Sequence, residues 1–373
     1  MKKRLVFLTG YSYKYLFRPL LFLTDSESIH NFFIRFGQAL GNEYSGGIFK
    51  FFFCHPQKEL EQQLFGINFR NPVGLAAGFD YGASLMWVLP GLNFGFETIG
   101  TITNMPYEGN PKPRLGRLVK TRSLMVNKGF KNEGIKKIVE KLKGQNFVFP
   151  VGISIGKTNS AKLRTQGAAV EDIVSAFEVV EKEKLDIGFY ELNISCPNLY
   201  GKIEFYEPEH LSGLLQAVFA LKPSKPVFIK MPISKDNEEI IKMMDVIVKY
   251  PVKAVILGNL QKDRNNSSFV REELEKFPAG SFSGLPTRAR SNELIKLIYK
   301  RYGQKIKIIG CGGIFCGKDA YDKIRAGASL VQLITGLIFE GPQLASQINY
   351  ELEDLLKKDG FDNITQAIGA NVN

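Results

Sequence analysis

Histidine is scarce in this chain: three in 373 residues, at positions 30, 55 and 210, none near another. That speaks against a multi-histidine metal site and against serine–histidine nucleophilic catalysis. Cysteine is nearly as rare. Cys54, Cys196, Cys311 and Cys316 are too few for a disulfide scaffold, and the last two are not in CxxC spacing. No zinc pattern appears, so no metal is expected, and a reducing cytoplasm is the simplest compartment. No apolar run approaches the ~20 residues of a membrane-spanning helix. No small-residue cleavage site follows a sustained apolar core, so no signal peptide is expected. A GxGxxG opening a helix after the first strand is also absent, which argues against a doubly wound dinucleotide fold. Acidic residues fall short of basic ones, 37 against 49, for a net charge of +12. Such a balance suits a membrane surface, a nucleic acid or a phosphorylated ligand, and composition does not choose among them.

What is present is the material of an α/β protein: 44% hydrophobic residues and 36 glycines. Residues 58–71 read as two short strands around Phe65-Gly66. Apolar strand candidates then follow at Val73–Ala76, Glu97–Thr101, Pro150–Ser154, Phe189–Ile194, Val227–Met231, Ala254–Leu257, Ile306–Gly310 and Leu330–Leu333. Helical patterns lie between most of them, at Lys131–Lys143, Val170–Lys184, His210–Leu221, Glu238–Val248, Ser291–Tyr302 and Lys318–Ala326. This rhythm predicts a (β/α)₈ TIM barrel over residues 46–373, with an open doubly wound sheet as the alternative. Residues 1–45 differ from the rest, being basic, apolar and aromatic. Thr24 and Glu27 have capping-box spacing, and Ile29, Phe32, Phe33, Phe36 and Leu40 fall on one helical face that ends at Gly41. That face either packs on the barrel or lies in a membrane interface. The segment alone leaves both open.

Polar groups and glycines gather at the C-terminal strand ends, where barrels carry their active sites. The densest cluster is Asn193-Ile194-Ser195-Cys196-Pro197-Asn198, a strand that breaks into two amides, hydroxyl, thiol and proline. Cys196 is either a small buried hydrophobe or a thiol that gives up its proton. Asn193 and Asn198 would orient a ligand. Lys230 sits inside an apolar strand and needs an anionic partner, either a structural carboxylate or a ring that becomes anionic, such as a reduced flavin. The glycine ends at Gly312-Gly313 and Thr335-Gly336 fall where barrels commonly bind phosphate. Two connections are longer than structure requires: Asn198–Pro208, a candidate lid, and Asn259–Pro286.

At these residues the chain resembles the dihydroorotate dehydrogenases, specifically the membrane-associated, quinone-using class. The resemblance runs from about residue 20 onward. It rests on Asn71-Pro72-Val73-Gly74-Leu75-Ala76-Ala77-Gly78-Phe79-Asp80, Ile99-Gly100-Thr101, Lys112-Pro113-Arg114, Gly129-Phe130, Asn193 to Asn198, Ser283-Gly284-Leu285-Pro286, Ile309 to Ile314 and Gly327 to Gln332. It implies an FMN-binding barrel that oxidises dihydroorotate to orotate in pyrimidine synthesis, with quinone as electron acceptor. By position, Cys196 resembles the catalytic base. Asn127, Asn193, Asn198 and Asn259 resemble substrate amides. Ala77, Gly78, Thr101, Ser154, Asn193, Lys230, Gly258, Gly284, Gly313, Ile334 and Thr335 resemble the FMN site, and His30 and Arg117 the quinone tunnel. The implied location is the cytoplasmic side of the cell membrane, peripherally held, with no nucleic-acid partner.

The chain also departs from that pattern. The quinone-using class normally has serine at position 196, and the soluble class has cysteine. Tyr81 stands where a lysine normally reaches the ligands, and Val126 where a substrate asparagine is expected. A carboxylate substrate lacking that lysine needs another cation, for which Lys128 is a candidate. Ser154 and Gly258 replace an asparagine and a threonine near the flavin. Two alternatives follow: a soluble, fumarate-using oxidase, and a dihydrouridine synthase-like enzyme of tRNA, which shares the fold and an Asn-x-x-Cys-Pro segment. Against the latter, the extension is N-terminal and apolar, and little chain follows the last barrel helix.

Overall fold

The computed structural model describes residues 1–373 except Asn42, Tyr200, Lys202 and Asn373, and of residues 43–46 the backbone only. Eight parallel strands close a barrel in chain order: β1 Val73–Leu75, β2 Phe96–Ile102, β3 Val151–Ile155, β4 Phe189–Asn193, β5 Val227–Met231, β6 Ala254–Leu257, β7 Lys307–Cys311 and β8 Leu330–Leu333, which returns to β1. The expected strands are all present, with ends shifted by one residue at most. The doubly wound alternative is thereby excluded.

Side chains alternate along each strand, so every second residue enters the barrel. At the N-terminal end this makes a layer of phenylalanines: Phe96, Phe189 and Phe228 pack with Ala254, Ile256, Ile309 and Leu330 over Phe69. The rings fit because glycine faces them. A Cβ on Gly74 would strike Phe96, and one on Gly152 would strike Phe189. The hairpin Gln62–Leu64 and Ile67–Phe69 closes this end, turning through Phe65 and Gly66, both at positive φ. One step up, the layer becomes polar. Gln332 donates to Thr98 at 2.8 Å, and Ser154 donates to Glu191 at 2.7 Å. The strands end one step above that, at the mouth.

The long connection after β6 is not irregular throughout. Its Ser281–Phe282 pairs with Ser123–Val126, which pairs in turn with Leu115–Leu118, making a three-stranded antiparallel sheet beside the mouth. The helix expected from Lys131 begins only at Ile135, because Asn132 is held in the loop by its bonds with Thr103 and Gly134. In the Asn198–Pro208 connection, Tyr200 and Lys202 lie outside the described residues.

The N-terminal segment folds as helix α1 Lys2–Ser12, a wide turn Tyr13–Phe17, helix α2 Arg18–Phe22, helix α3 Ser26–Ala39 and helix α4 Glu43–Phe53, which runs across residue 45. The start of α3 differs from the expected capping box. Asp25, not Thr24, is the cap, accepting from Ser28 N–H at 2.8 Å. The carbonyl of Thr24 is drawn instead to Arg117, and Glu27 is taken up by Arg114 and Lys131. α1, the turn and α2 are fastened to the end of the barrel chain: Lys3 pairs with Asp354, Tyr13 donates to the Ile338 carbonyl at 2.8 Å, and Arg18 donates to the Phe339 carbonyl at 2.9 Å. The outward faces are apolar, with Leu16, Phe17, Leu20, Leu23, Phe32, Phe36, Ile48 and Phe51 each at least half exposed. No described helix is long and apolar enough to cross a membrane.

Candidate active site and its apolar annex

A cleft of about 900 Å³ opens at the barrel mouth. Strand ends supply its floor and walls: Ala77 and Gly78 after β1, Thr101 in β2, Asn193 and Cys196 at and after β4, Lys230 in β5, Asn259 after β6 and Ile334 after β8. The strand end at Val126 and the long loops, with Lys128, Phe130, Asn198, Leu260 and Ser283, add the rest. Thus Cys196, Asn193, Asn198, Asn259, Lys230, Thr101, Ala77, Gly78 and Ile334 are brought together at the mouth, and His30, expected at the quinone tunnel, borders the same cleft.

The remaining predicted residues lie around this group. Ser154 is buried one layer below, bonded to Thr101 at 2.9 Å. Thr335 is joined to Ser283 at 2.7 Å. Gly284 and Gly313 adopt positive φ, +82° and +69°, and a side chain at Gly313 would meet Arg288. Gly258 carries β6 past β7 so closely that a Cβ would overlap the Cys311 carbonyl. Asn127 does not line the cleft; its side-chain Oδ1 accepts from Asn110 at 3.0 Å.

A chain of hydrogen bonds runs down from the mouth. Asn193 donates to Thr101 at 2.8 Å, Thr101 meets Ser154, and Ser154 donates to Glu191. Glu191 is fully buried and stands 3.9 Å from the Lys230 ammonium, with Asn193 beside Lys230 in register. Lys230 therefore has the carboxylate that burial demands, and its ammonium still reaches the cleft. The pairing could have been read from the sequence, since Glu191 stands two residues before Asn193 and must share its inward face.

The thiol of Cys196 is pushed up to about 11 by burial, opposed by an Asn198 backbone hydrogen bond and by the charges of Lys262, Lys230 and Lys157. Asn259 donates to the Ser195 carbonyl at 2.6 Å, and Asn198 donates to the Val126 carbonyl at 3.0 Å. Two amides escaped the sequence reading. Asn110 donates to Asn127 and to the Asn198 carbonyl and accepts from Asn159 at 3.1 Å, so it ties three loops together. Neither lies in a periodic element, and no local signal marks them.

A second cavity, of about 1190 Å³, lies between α2–α4 and the barrel. Its walls are Phe22, Ile29, Phe33, Phe36, Leu40, Leu85, Val88, Leu89, Leu92 and Leu337, with His30 and Arg117 among the few polar groups. Arg117 donates to the carbonyls of Phe22 and Thr24, and its guanidinium lies 4.7 Å from the Phe22 ring centre. Burial drives His30 down to about 2, so its imidazole is neutral, and its Nε2 has no hydrogen-bond partner among the described residues. His30, Phe79, Leu115, Leu124 and Ile338 line both cavities and form the wall between them.

A family model described as "Dihydroorotate dehydrogenase" matches residues 59–356. Among curated relatives, a protein of Nostoc sp. named "Dihydroorotate dehydrogenase (quinone)" is 36% identical over 375 residues, 96% of this chain and 98% of its own. One of the same name from Sulfurimonas denitrificans is 37% identical over 314 residues, 84% of this chain and 85% of its own. Among solved structures, the ligand-free enzyme of Eimeria tenella superposes with a TM-score of 0.78 at 27% identity, covering 89% of this chain and 99% of that one. The same enzyme in complex with ferulenol gives 0.77 at 28% identity, covering 88% and 95%. The matching family is not that of the dihydrouridine synthases. By fold, by the convergence of its strand ends and by likeness to these proteins, the chain belongs to the dihydroorotate dehydrogenase family, and the relatives it matches are named for quinone.

Proposed function

We propose that this protein oxidises dihydroorotate to orotate, a step of pyrimidine synthesis, using FMN at the barrel mouth and passing the electrons to quinone. One observation carries the reading: a cleft at the strand ends that gathers amides, a thiol and lysines shares a thin wall with a more apolar cavity of comparable size. A water-soluble substrate and an apolar electron acceptor each need a room of their own, and the two must stand within reach of one cofactor.

The residues present fit FMN. Lys230 offers a desolvated cation to a ring that gains negative charge on reduction, and Thr101 and Asn193 offer polar atoms beside it. Gly284 brings bare backbone near Thr335, which is bonded to Ser283, and Gly313 brings it near Arg288, which suits a phosphate. When bound, FMN supplies the hydride acceptor for substrate C6 and the electron donor for quinone. Cys196 acts as base and takes the proton from C5; Asn193, Asn198 and Asn259, with Asn127 behind them, orient the pyrimidine edge. An amide presents donor and acceptor together, as a pyrimidine does. His30 and Arg117 are the polar groups that a quinone carbonyl meets.

Residues 1–45, continued by the rest of helix Glu43–Phe53, form the quinone passage and hold the enzyme peripherally on the cytoplasmic face of the cell membrane; residues 46–373 form the catalytic barrel. The exposed Leu16, Phe17, Leu20, Leu23 and Phe51 beside Lys2, Lys3, Arg4 and Arg18 support an interfacial position. Cys196 favours a second reading, in which the acceptor is soluble.

The purified protein should be yellow, and orotate should perturb the flavin spectrum. A protein that takes up no FMN, or whose flavin ignores orotate, sinks the proposal. A chain beginning at residue 54 should keep dihydroorotate-driven flavin reduction but lose membrane binding and most quinone reduction. If it reduces quinone as fast as the whole chain, or if the intact enzyme prefers fumarate, the second reading wins.

A further inference from the structure

Three cations line the mouth cleft, and two already have partners. Lys230 stands against Glu191, and Lys131 lies 3.4 Å from Glu27. Lys128 has neither a hydrogen bond nor an ion pair with any described side chain. Its ammonium rests over the Tyr81 ring, 4.7 Å from the centroid. Tyr81 is held in turn: it stacks on His30 with centroids 5.7 Å apart, and its hydroxyl donates to Asn31 at 3.3 Å. Glu27, the nearest counter-charge, is saturated by Arg114 at 3.0 Å and by Lys131. The result is a cation in a half-buried cleft, steadied by a ring face, whose nearby carboxylate, Glu27, is shared with two other cations. A desolvated charge in that position is expensive unless an anionic ligand completes it.

We propose that Lys128 binds the carboxylate of the substrate, with Tyr81 as the platform that aims it. The proposal rests on the dihydroorotate reading above and deepens it by naming the anchor of the charged group. At this spot Tyr81 supplies a ring and Lys128 supplies the charge. An aromatic face cannot neutralise an ammonium, so Lys128 keeps its appetite for an anion. Burial also holds its pKa down, to about 8. An unliganded Lys128 thus loses its charge at mildly alkaline pH, and carboxylate binding should take up a proton there.

The experiment is orotate titration of the FMN-loaded full-length protein, read by the flavin spectrum, for the parent chain, Lys128→Met and Lys128→Arg. A charge-assisted hydrogen bond to a carboxylate is worth about 10- to 100-fold in affinity. Lys128→Met should therefore raise the orotate Kd and the dihydroorotate KM by that factor, with a smaller change in kcat, and Lys128→Arg should recover most of it. Orotate amide should bind the parent and the methionine variant alike. In the parent, which needs no substitution, orotate affinity should fall as pH rises through about 8. Parent-like orotate binding by Lys128→Met, or affinity flat across that range, overturns the assignment while leaving the dihydroorotate reading intact. No response of the parent flavin to orotate overturns that reading, and the anchor with it.

Discussion

The two cavities that meet at His30 and Phe79 are built by opposite means. The mouth cleft is made of strand ends, so each polar group is fixed by the barrel ladder and braced by another: Asn193 by Thr101, Thr101 by Ser154, Ser154 by Glu191. The annex is made of side chains on short helices, and its shape depends on how those helices are fastened to the barrel through Tyr13, Arg18 and Arg117. A rigid ladder suits proton and hydride transfer, where small displacements are costly. Helices held by a few side-chain bonds suit an opening through which a lipid-dissolved molecule enters and leaves. The comparison predicts that damage to the mouth abolishes the first half-reaction, and that damage to the annex spares it.

The largest effect should come from the thiol. Cys196→Ala should slow flavin reduction by dihydroorotate by about 10²–10⁴-fold with FMN retained. With the thiol pushed up to about 11, only a small fraction is thiolate at neutral pH, so the parent rate should climb steadily toward alkaline pH. Single-turnover reduction across pH 6–10 checks both. Cys196→Ser should retain appreciable activity, since the surrounding amides are unchanged. An alanine variant as fast as the parent would move the base elsewhere and empty the comparison of its first half.

Next comes the annex. Arg117→Ala removes the donor that holds the Phe22 and Thr24 carbonyls and one of the polar groups facing the cavity. It should raise the quinone KM by about 10-fold, as expected for losing a charged hydrogen bond, and leave flavin reduction by dihydroorotate within about two-fold. Stopped-flow reduction set beside steady-state quinone turnover separates the halves. Loss of both would mean that the cavities are one structural unit.

How much of this could be read in the sequence follows the same division. The barrel was legible because apolar runs alternate with helical patterns, and strand ends announce themselves by a change to glycine and amide. Lys230 stood out as a charge in an apolar strand. Glu191 was equally visible by its two-residue spacing from Asn193. Asn110 and Asn159 were not, because their meeting with Asn127 and Asn198 is a product of three loops folding over one mouth. The annex was legible only in α3, whose aromatic face has a clear period. α1 has no such period and is held by Asp354, more than 300 residues away. At the α3 start, spacing alone favoured Thr24, but the next residue won because Arg117 claims the Thr24 carbonyl.

A smaller effect lies at the seam between the two constructions. Asp80 and Glu97 are both fully buried; Asp80 accepts from Ser84 and Leu85 N–H and so begins the loop that lines the annex with Leu85, Val88 and Leu89. Burial, then the neighbouring Asp80, raises Glu97 well above 4.5, so it keeps its proton. A carboxyl with a raised folded pKa contributes its full stability below its unfolded value and loses it as pH rises toward and through the folded one. Thermal unfolding should therefore show the parent losing stability as pH rises above about 4.5 toward the raised folded value, with Glu97→Gln losing less over the same range. Equal pH profiles would mean that Glu97 does not keep its proton in the folded protein.

The smallest expected effect is the sharpest test of the annex as a separate unit. Asp25 caps α3 by accepting from Ser28 N–H; it is exposed and lines neither cavity. Its carboxyl is held below the usual 3.8, chiefly by that backbone bond, so the cap is charged at neutral pH and also favours the positive end of the helix. Asp25→Ala should cost about 1 kcal/mol at the start of α3. The helix carries Ile29, His30, Phe33 and Phe36 into the annex, so fraying should reach the cavity wall before it reaches the barrel. The expected outcome is faster amide exchange over the first turn of α3 and a modest rise in quinone KM. FMN affinity, orotate affinity and the rate of flavin reduction should be unchanged. Should orotate affinity fall in step with quinone affinity, His30 couples the two cavities through Tyr81, and the wall between them transmits rather than divides.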